Sequence, residues 1–408
     1  MIVVAVTLVC ILGAHFLPFV RLVENWVYDL RVTILTPPMA QSKDIVVIAV
    51  TEDTLATLPY RSPLDRRFLG DLMRALQQKG VKLIGLDILL DQPTEREKDE
   101  AFRKTLLNLK VPIVMASVSA DATLTESQRD FMNTYLEGLE RGLAYVIKDP
   151  VDGAVRSVFV RTRDSDYGTL GFAAALAKSA NVNLPTGSTL PLEYRSGPDD
   201  ETSAFPTFPA HTVPLLPADW FSGKIALVGA DLALSDRHRT PFSPVKGAPS
   251  GDMSGVMIHA HALSQLLEGR KGRQLAPSQE IFIVLLFAVV GAAVSVLSAP
   301  VVVRAGLGVL AIVLGWTGAF LVYQQGGPLV PVVVPTLALV ASGSIVSALL
   351  WHQERAQKQF IRHAFGKYLA PAVVKQLETN PTALKLGGEK REITFLFTDI
   401  ADFTSLTE

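Results

Sequence analysis

Cysteine is nearly missing from this chain: Cys10 is the only one in 408 residues. A single thiol forms no intrachain disulfide, and a cysteine-based metal cluster within one chain is excluded. None of the seven histidines stands in an H-E-x-x-H motif, so that zinc-hydrolase arrangement is absent as well. A basic excess is also lacking, since 38 Lys and Arg face 39 Asp and Glu for a net charge of -1. Nucleic acid, which needs a basic surface, is therefore not an expected partner. No repeat of solenoid period and no low-complexity tract is evident.

Charge itself is missing from two long stretches. Residues 1–20 hold no Lys, Arg, Asp or Glu, and residues 281–350 hold only Arg304. That distribution rules out a purely soluble protein. A hydrocarbon core of roughly 30 Å takes about 20 apolar residues as a helix, and four segments qualify. They are Ile2–Val20, followed by an interfacial Trp26 and Tyr28, then Ile281–Ala299, Val301–Tyr323 and Leu329–Trp351. As domains these become transmembrane helices over 1–20, 281–299, 301–323 and 329–351. The first lacks the basic flank and small-residue cleavage site of a secretory signal, so it reads as a retained anchor. Having no basic residue ahead of it, it also leads us to expect a natural start further upstream.

Four spans put both ends on one side of the membrane. Arg355, Lys358, Arg362 and Lys367 follow the last span against a single Glu354, which marks a cytoplasmic flank. The uncharged Gln324–Pro328 hairpin suits the outside and Arg304 the inside. Arg270, Lys271 and Arg273 run against the rule, but long translocated domains follow it poorly. Residues 21–275 are then expected outside, with 352–386 a cytoplasmic linker and 387–408 the start of a further domain.

The outer segment alternates strand and helix. Ile45–Val50 is an almost unbroken β-branched run, as in a strand buried on both faces. Ser62-Pro63 offers a cap and a first helical residue, Leu64, Phe68, Leu72, Met73 and Leu76 recur at helical spacing, and Gly80 supplies a stop. Leu83–Leu90 is a second apolar run, so the order strand, helix, strand predicts a parallel pair. Further strands are expected at Pro112–Val118, Leu143–Ile147, Val155–Val160 and Lys224–Gly229, with helices at Ala173–Lys178 and Val256–Leu267. An α/β sandwich follows.

Four polar residues stand out as candidate ligand contacts in the outer segment. Asp87 interrupts an apolar strand, where an unpaired carboxylate is costly. Glu52 and Asp53 end the first strand, and Arg61 is a candidate cation for them; an internal ion pair that fixes a loop accounts for the same residues. His259 and His261, two apart on a helix, point in different directions and cannot chelate one metal together.

With these residues in view, the outer segment resembles the second class of CHASE domains, CHASE2, the extracytoplasmic sensors of bacterial signalling receptors. The resemblance rests on Tyr28-Asp29-Leu30-Arg31, Val47–Asp53, Arg61-Ser62-Pro63-Leu64 and Gly85-Leu86-Asp87-Ile88-Leu89. Asp152-Gly153-Ala154-Val155-Arg156, Ile225–Gly229 and Gly255–Ala260 complete it. Thr51-Glu52-Asp53 departs from the commoner Ile-Asp-Glu, and Tyr60 from a Pro-aromatic-Pro before Arg61. The resemblance implies a sensor and an outside signal, and names no stimulus.

Near the C-terminus, Phe360, Ile361, Ala364, Phe365 and Leu369 form an apolar helical stripe, and Glu392–Ile400 reads as a strand ending in Asp399. An aspartate at a strand end before a helix start is by itself more readily a cap than a metal ligand. The stretch Phe360–Leu377 resembles the linker preceding class III nucleotidyl cyclases. Gly387–Glu408, with Phe397-Thr398-Asp399-Ile400-Ala401-Asp402-Phe403-Thr404, resembles the opening strand of their α+β (ferredoxin-like) catalytic domain. That resemblance implies a homodimer converting ATP to cyclic AMP and pyrophosphate with two Mg²⁺ or Mn²⁺ ions per site. It makes Asp399 and the Ile400 carbonyl metal ligands, and the backbone at Phe403 and Thr404 a triphosphate contact. Asp402 departs from the usual Gly. The second metal aspartate, the purine-selecting residues and the transition-state Asn and Arg would lie beyond Glu408, so no catalytic residue is assigned and a fragment is expected.

The expected whole is a multi-pass receptor of the bacterial inner membrane, in contact with lipid, with its sensor outside and its cyclase in the cytoplasm. Guanylate cyclase and a non-catalytic membrane sensor remain open. A transporter is disfavoured, since one intramembrane charge and no paired broken helices accompany the four spans.

Overall fold

The run Ile45–Val50 offers no polar side to solvent, and all six of its residues are buried as strand β1. The computed structural model describes residues 2–119, 122–162, 169–199, 201–243, 252–365 and 392–398. In it, β1 joins β2 (Leu83–Asp87), β3 (Ile113–Ser117), β4 (Glu140–Leu143), β8 (Thr207–Pro209) and β9 (Ile225–Ala230) in one sheet. The order is β4-β3-β2-β9-β1-β8, and every neighbouring pair is parallel. β1 and β2 are therefore parallel but not adjacent, contrary to the pair expected from their order. Ile225 of β9 lies opposite both Ile45 and Leu83, so a strand from late in the chain fills the gap.

Strand alternation divides the core in two. Val46, Ile48, Val50, Ile84, Leu86, Ala226 and Val228 meet helix α4 (Arg66–Gln78) through Leu69, Leu72, Met73 and Leu76. Ile45, Val47, Leu83, Ile225 and Leu227 face the other way, onto α7 (Phe172–Ser179) and α8 (Gly255–Leu267). Both faces are covered, as a parallel sheet requires. Helices α3 (Glu52–Ala56), α5 (Arg96–Leu107) and α6 (Glu126–Tyr135) complete this part. Helix α4 opens later than Ser62-Pro63 suggests, because the Asp65 carboxylate caps it by accepting the Phe68 N–H at 2.9 Å. Gly80, at φ +75°, ends the segment in the left-handed conformation that glycine adopts without strain. A small antiparallel sheet of β5 (Ile147–Lys148), β6 (Val155–Phe159) and β7 (Thr189–Pro191) adds to the second core. A two-stranded ribbon joins β10 (Arg237–His238) to β11 (Met253–Ser254).

Among the described residues, three helices are long and apolar enough to cross a membrane: α9 (Pro277–Val296), α10 (Val301–Gln324) and α11, spanning Val333–Phe365. The first expected span is instead a broken pair, α1 (Ile2–Phe16) and α2 (Pro18–Leu35), bent by 83°. Pro18 sits in the first turn of α2, where its missing N–H is harmless, whereas it could not continue α1. Helix α1 rises about 22 Å, short of the roughly 30 Å core. The start of α11 at Val333 rather than Leu329 has a local cause: Leu329 pairs with Gln274 in an isolated bridge. Val284 and Ala288 of α9 pack with Val334 and Ala338 of α11, and Cys10, Ile11 and Ala14 of α1 lie against them. Outward, α1 exposes Leu8, Val9, Leu12 and Phe16, side chains suited to lipid.

The chain divides into two units, Met1–Ser342 and Gly343–Glu408. In the second, residues 392–398 are exposed and take no regular secondary structure. A strand needs a neighbour to supply its hydrogen bonds, and among the described residues of that unit none does so. Asp399, Ile400, Phe403 and Thr404 lie outside the described residues.

Candidate functional site

Two clusters carry the polar chemistry of the larger unit. The first lies at the carboxyl end of the parallel sheet, where ligands of such sheets bind. Thr51 caps α3 by accepting the Thr54 N–H at 3.2 Å, so Glu52 and Asp53 form the first turn of that helix. Arg61 donates to Glu52 at 2.5 Å, with both side chains half exposed or more. Asp53 is exposed.

Asp87 belongs to a different group. Burial first, and then the Asp236 carboxylate, push its pKa up to about 7, with His238 opposing. Asp236 bonds the His238 ring at 2.9 Å and accepts the Gly255 N–H at 3.1 Å, at the start of α8. The Nδ1 of His238 is buried with no partner among the described residues. Gly229 faces this corner: a Cβ there would come within 2.6 Å of the Val256 Cβ and 3.2 Å of the Asp87 Cβ. The four residues singled out in the sequence thus divide into a surface pair, an exposed carboxylate and a half-buried one that changes charge near neutrality. His259 and His261 are buried on α8, with pKa values pushed down by burial to about 4 and about 3. Among the described residues no group of three His, Cys, Asp or Glu could hold a metal.

The second cluster fastens the sandwich to the apolar helices through α2. Asp29, only 1% exposed, accepts two hydrogen bonds from Arg156 at 2.8 and 2.6 Å. Arg156 also grips Asp152 at 2.9 and 2.7 Å. Burial alone would lower the Arg156 pKa, but the two carboxylates raise it. Burial likewise opposes ionisation of Asp152, and the Arg156 and Ala154 donors outweigh it to lower its pKa. Arg21 and Asn25 reach Asp149 and Asp152 at 3.0 and 3.2 Å.

From the same helix, Glu24 accepts the N–H groups of Val332, Val333 and Val334 at 2.9, 2.9 and 3.2 Å. These are among the donors a helix start leaves unpaired, so α2 caps α11. Arg31, 1% exposed, donates to the Val330 carbonyl at 2.6 Å and lies 5.7 Å from the Phe320 ring centre. Arg273 sits 5.2 Å over Tyr323, and its carbonyl accepts the Leu329 N–H at 3.0 Å. The α10–α11 loop is thereby held from two sides.

Sequence reasoning had the motifs Tyr28–Arg31 and Asp152–Arg156 without their connection, because the partners stand 127 positions apart. Glu24 was missed altogether. Its one signal was a carboxylate a few residues beyond an apolar helix, which could face water as readily as a helix end.

A parallel α/β sandwich fastened by buried ion pairs to a bundle of apolar helices is the build of a membrane-anchored sensor. Comparison with family models makes this specific: the CHASE2 domain matches residues 4–294, and the chain belongs to that family. The match takes in nearly all of α1 and α9 as well as the sandwich. CHASE2 is an extracytoplasmic sensor domain of signalling receptors. No curated protein and no solved structure matches the chain.

Proposed function

We propose that the chain is the sensing and anchoring part of a receptor adenylate cyclase, in which an outside signal controls conversion of ATP to cyclic AMP and pyrophosphate. The observation that carries the output is the stretch Phe397-Thr398-Asp399-Ile400-Ala401-Asp402-Phe403-Thr404, following a CHASE2 sensor and apolar helices. The 3′-oxygen of ATP attacks the α-phosphorus, and the bond to the departing pyrophosphate breaks. Asp399 supplies a carboxylate and Ile400 a carbonyl, two hard oxygens of the kind Mg²⁺ and Mn²⁺ prefer. Bound ions of this kind neutralise charge that develops on the phosphates. The site is shared across a homodimer, and the protein sits in the bacterial inner membrane with the sandwich outside.

The test is nucleotide formation from ATP, and from GTP, by membranes bearing the full-length protein. Asp399→Ala is expected to abolish it; equal activity in the variant removes the metal role. Side is tested separately. A cysteine introduced at exposed Leu234 should react with an impermeant maleimide on whole spheroplasts where the unaltered protein does not, and labelling only after lysis would put the sandwich inside.

A further inference from the structure

A cavity of about 560 Å³ opens where α1, α2, α9 and the start of α11 meet. Its volume falls in the range of ligand pockets, roughly 300–1,000 Å³. Its apolar lining includes Ile11, Leu12, Ile281 and Val284, of which Leu12 of α1 and Ile281 of α9 are exposed. Its polar lining is His15, Arg21, Glu24, Asn25 and Glu280.

Three of those polar groups have partners. Glu24 caps α11, Arg21 gives one nitrogen to Asp149, and Asn25 donates to Asp152. The side chains of Glu280 and His15 have no hydrogen-bond or ion-pair partner among the described residues. Both residues are exposed, so their polar atoms are free to meet a bound group. Two carboxylates, Glu24 and Glu280, line one cavity, and neither has an ion pair among the described residues. Arg21, with further N–H donors unspent, lines it as well. The polar lining thus suits a cation on the carboxylates and an anion on the arginine, with apolar residues beside them.

We infer that this cavity binds the headgroup of an aminoethyl phospholipid, with its primary ammonium on Glu280 and its phosphate on Arg21 and His15. A trimethylated ammonium has no N–H to give the carboxylate, and a glycerol headgroup has no positive charge. Glu24 lines the cavity and also holds the opening amides of α11, so an occupant lies against the residue that caps the last span. The site does not depend on the cyclase reading, because binding is measured by mass and survives any result on nucleotide formation.

The test uses the full chain in nanodiscs of equal parts phosphatidylethanolamine, phosphatidylcholine and phosphatidylglycerol, released directly into native mass spectrometry. Phosphatidylethanolamine is expected to be retained about fivefold over the other two, the ratio that a charge contact of about 1 kcal/mol produces. Glu280→Gln should bring the three to near parity while the far-ultraviolet spectrum stays unchanged. Equal retention by the unaltered protein overturns the site, since the lipid is then annular only. An unchanged preference in Glu280→Gln overturns it as well. The headgroup comparison on the unaltered protein needs no variant and decides the matter if Glu280→Gln does not fold.

Discussion

The carboxylate of Glu24 accepts the amide hydrogens of Val332 and Val333 at 2.9 Å each, from a helix 308 positions away in sequence. A cap is usually supplied by the residue just before its own helix. Here it comes from α2, so the first and last apolar segments share a set of hydrogen bonds. Glu24→Ala should cost about 1–2 kcal/mol. Hydrogen–deuterium exchange should report the loss locally, with the amides at 332–334 exchanging faster and the central strands unchanged.

Arg156 holds two buried carboxylates, and removing it leaves both without their cation. Arg156→Ala is expected to destabilise the domain by about 3–5 kcal/mol, the usual cost of breaking a buried pair. A double-mutant cycle with Asp29→Asn and Arg156→Gln should show a coupling of about 0.5–3 kcal/mol. Additive effects would mean that α2 is held by its apolar contacts alone.

Asp87 and His259 should give pH dependences of opposite slope. Between the ordinary carboxylate range and about 7, folded Asp87 keeps a proton that the unfolded chain has released. Stability from this group is therefore complete at acid pH and is lost as pH rises to about 7. Asp87→Asn should match the parent near pH 4 and melt higher near pH 8. His259, held near 4, stays neutral where the unfolded chain takes up a proton. Its contribution is complete above the ordinary histidine pKa and is lost as pH falls to about 4, and His259→Leu should flatten that limb. Thermal melts across the range check both.

The Glu52–Arg61 pair lies at the surface, where ion pairs contribute about 0–1 kcal/mol. Arg61→Ala is expected to leave the melting temperature within a degree or two, about the shift such a loss produces. A loss of signal response with the melt intact would assign the pair to ligand contact. An unchanged response would leave it a surface ion pair.

What could be read from the sequence was local. The β-branched run at Ile45–Val50 and the helical spacing from Leu64 to Leu76 each contain their own periodicity, and both elements are present. The placing of β9 between β1 and β2 could not be read, because any of several buried runs would satisfy the same edges. Asp87 was legible as a carboxylate in an apolar strand, but its charged neighbours Asp236 and His238 stand far along the chain and had no local trace. Pro18 did mark the break between α1 and α2, and the apolar residues on both sides obscured it. The Asp29–Arg156 contact had no local trace, since neither residue has a pattern that names the other.

The cap from Glu24 bears on how such a receptor can be rearranged. A chimaera spliced between the sandwich and the last span would carry the acceptor from one parent and the donors from another. The exchangeable cassette therefore has to include α2 and the α10–α11 loop together, and a graft that divides them would inherit a frayed junction.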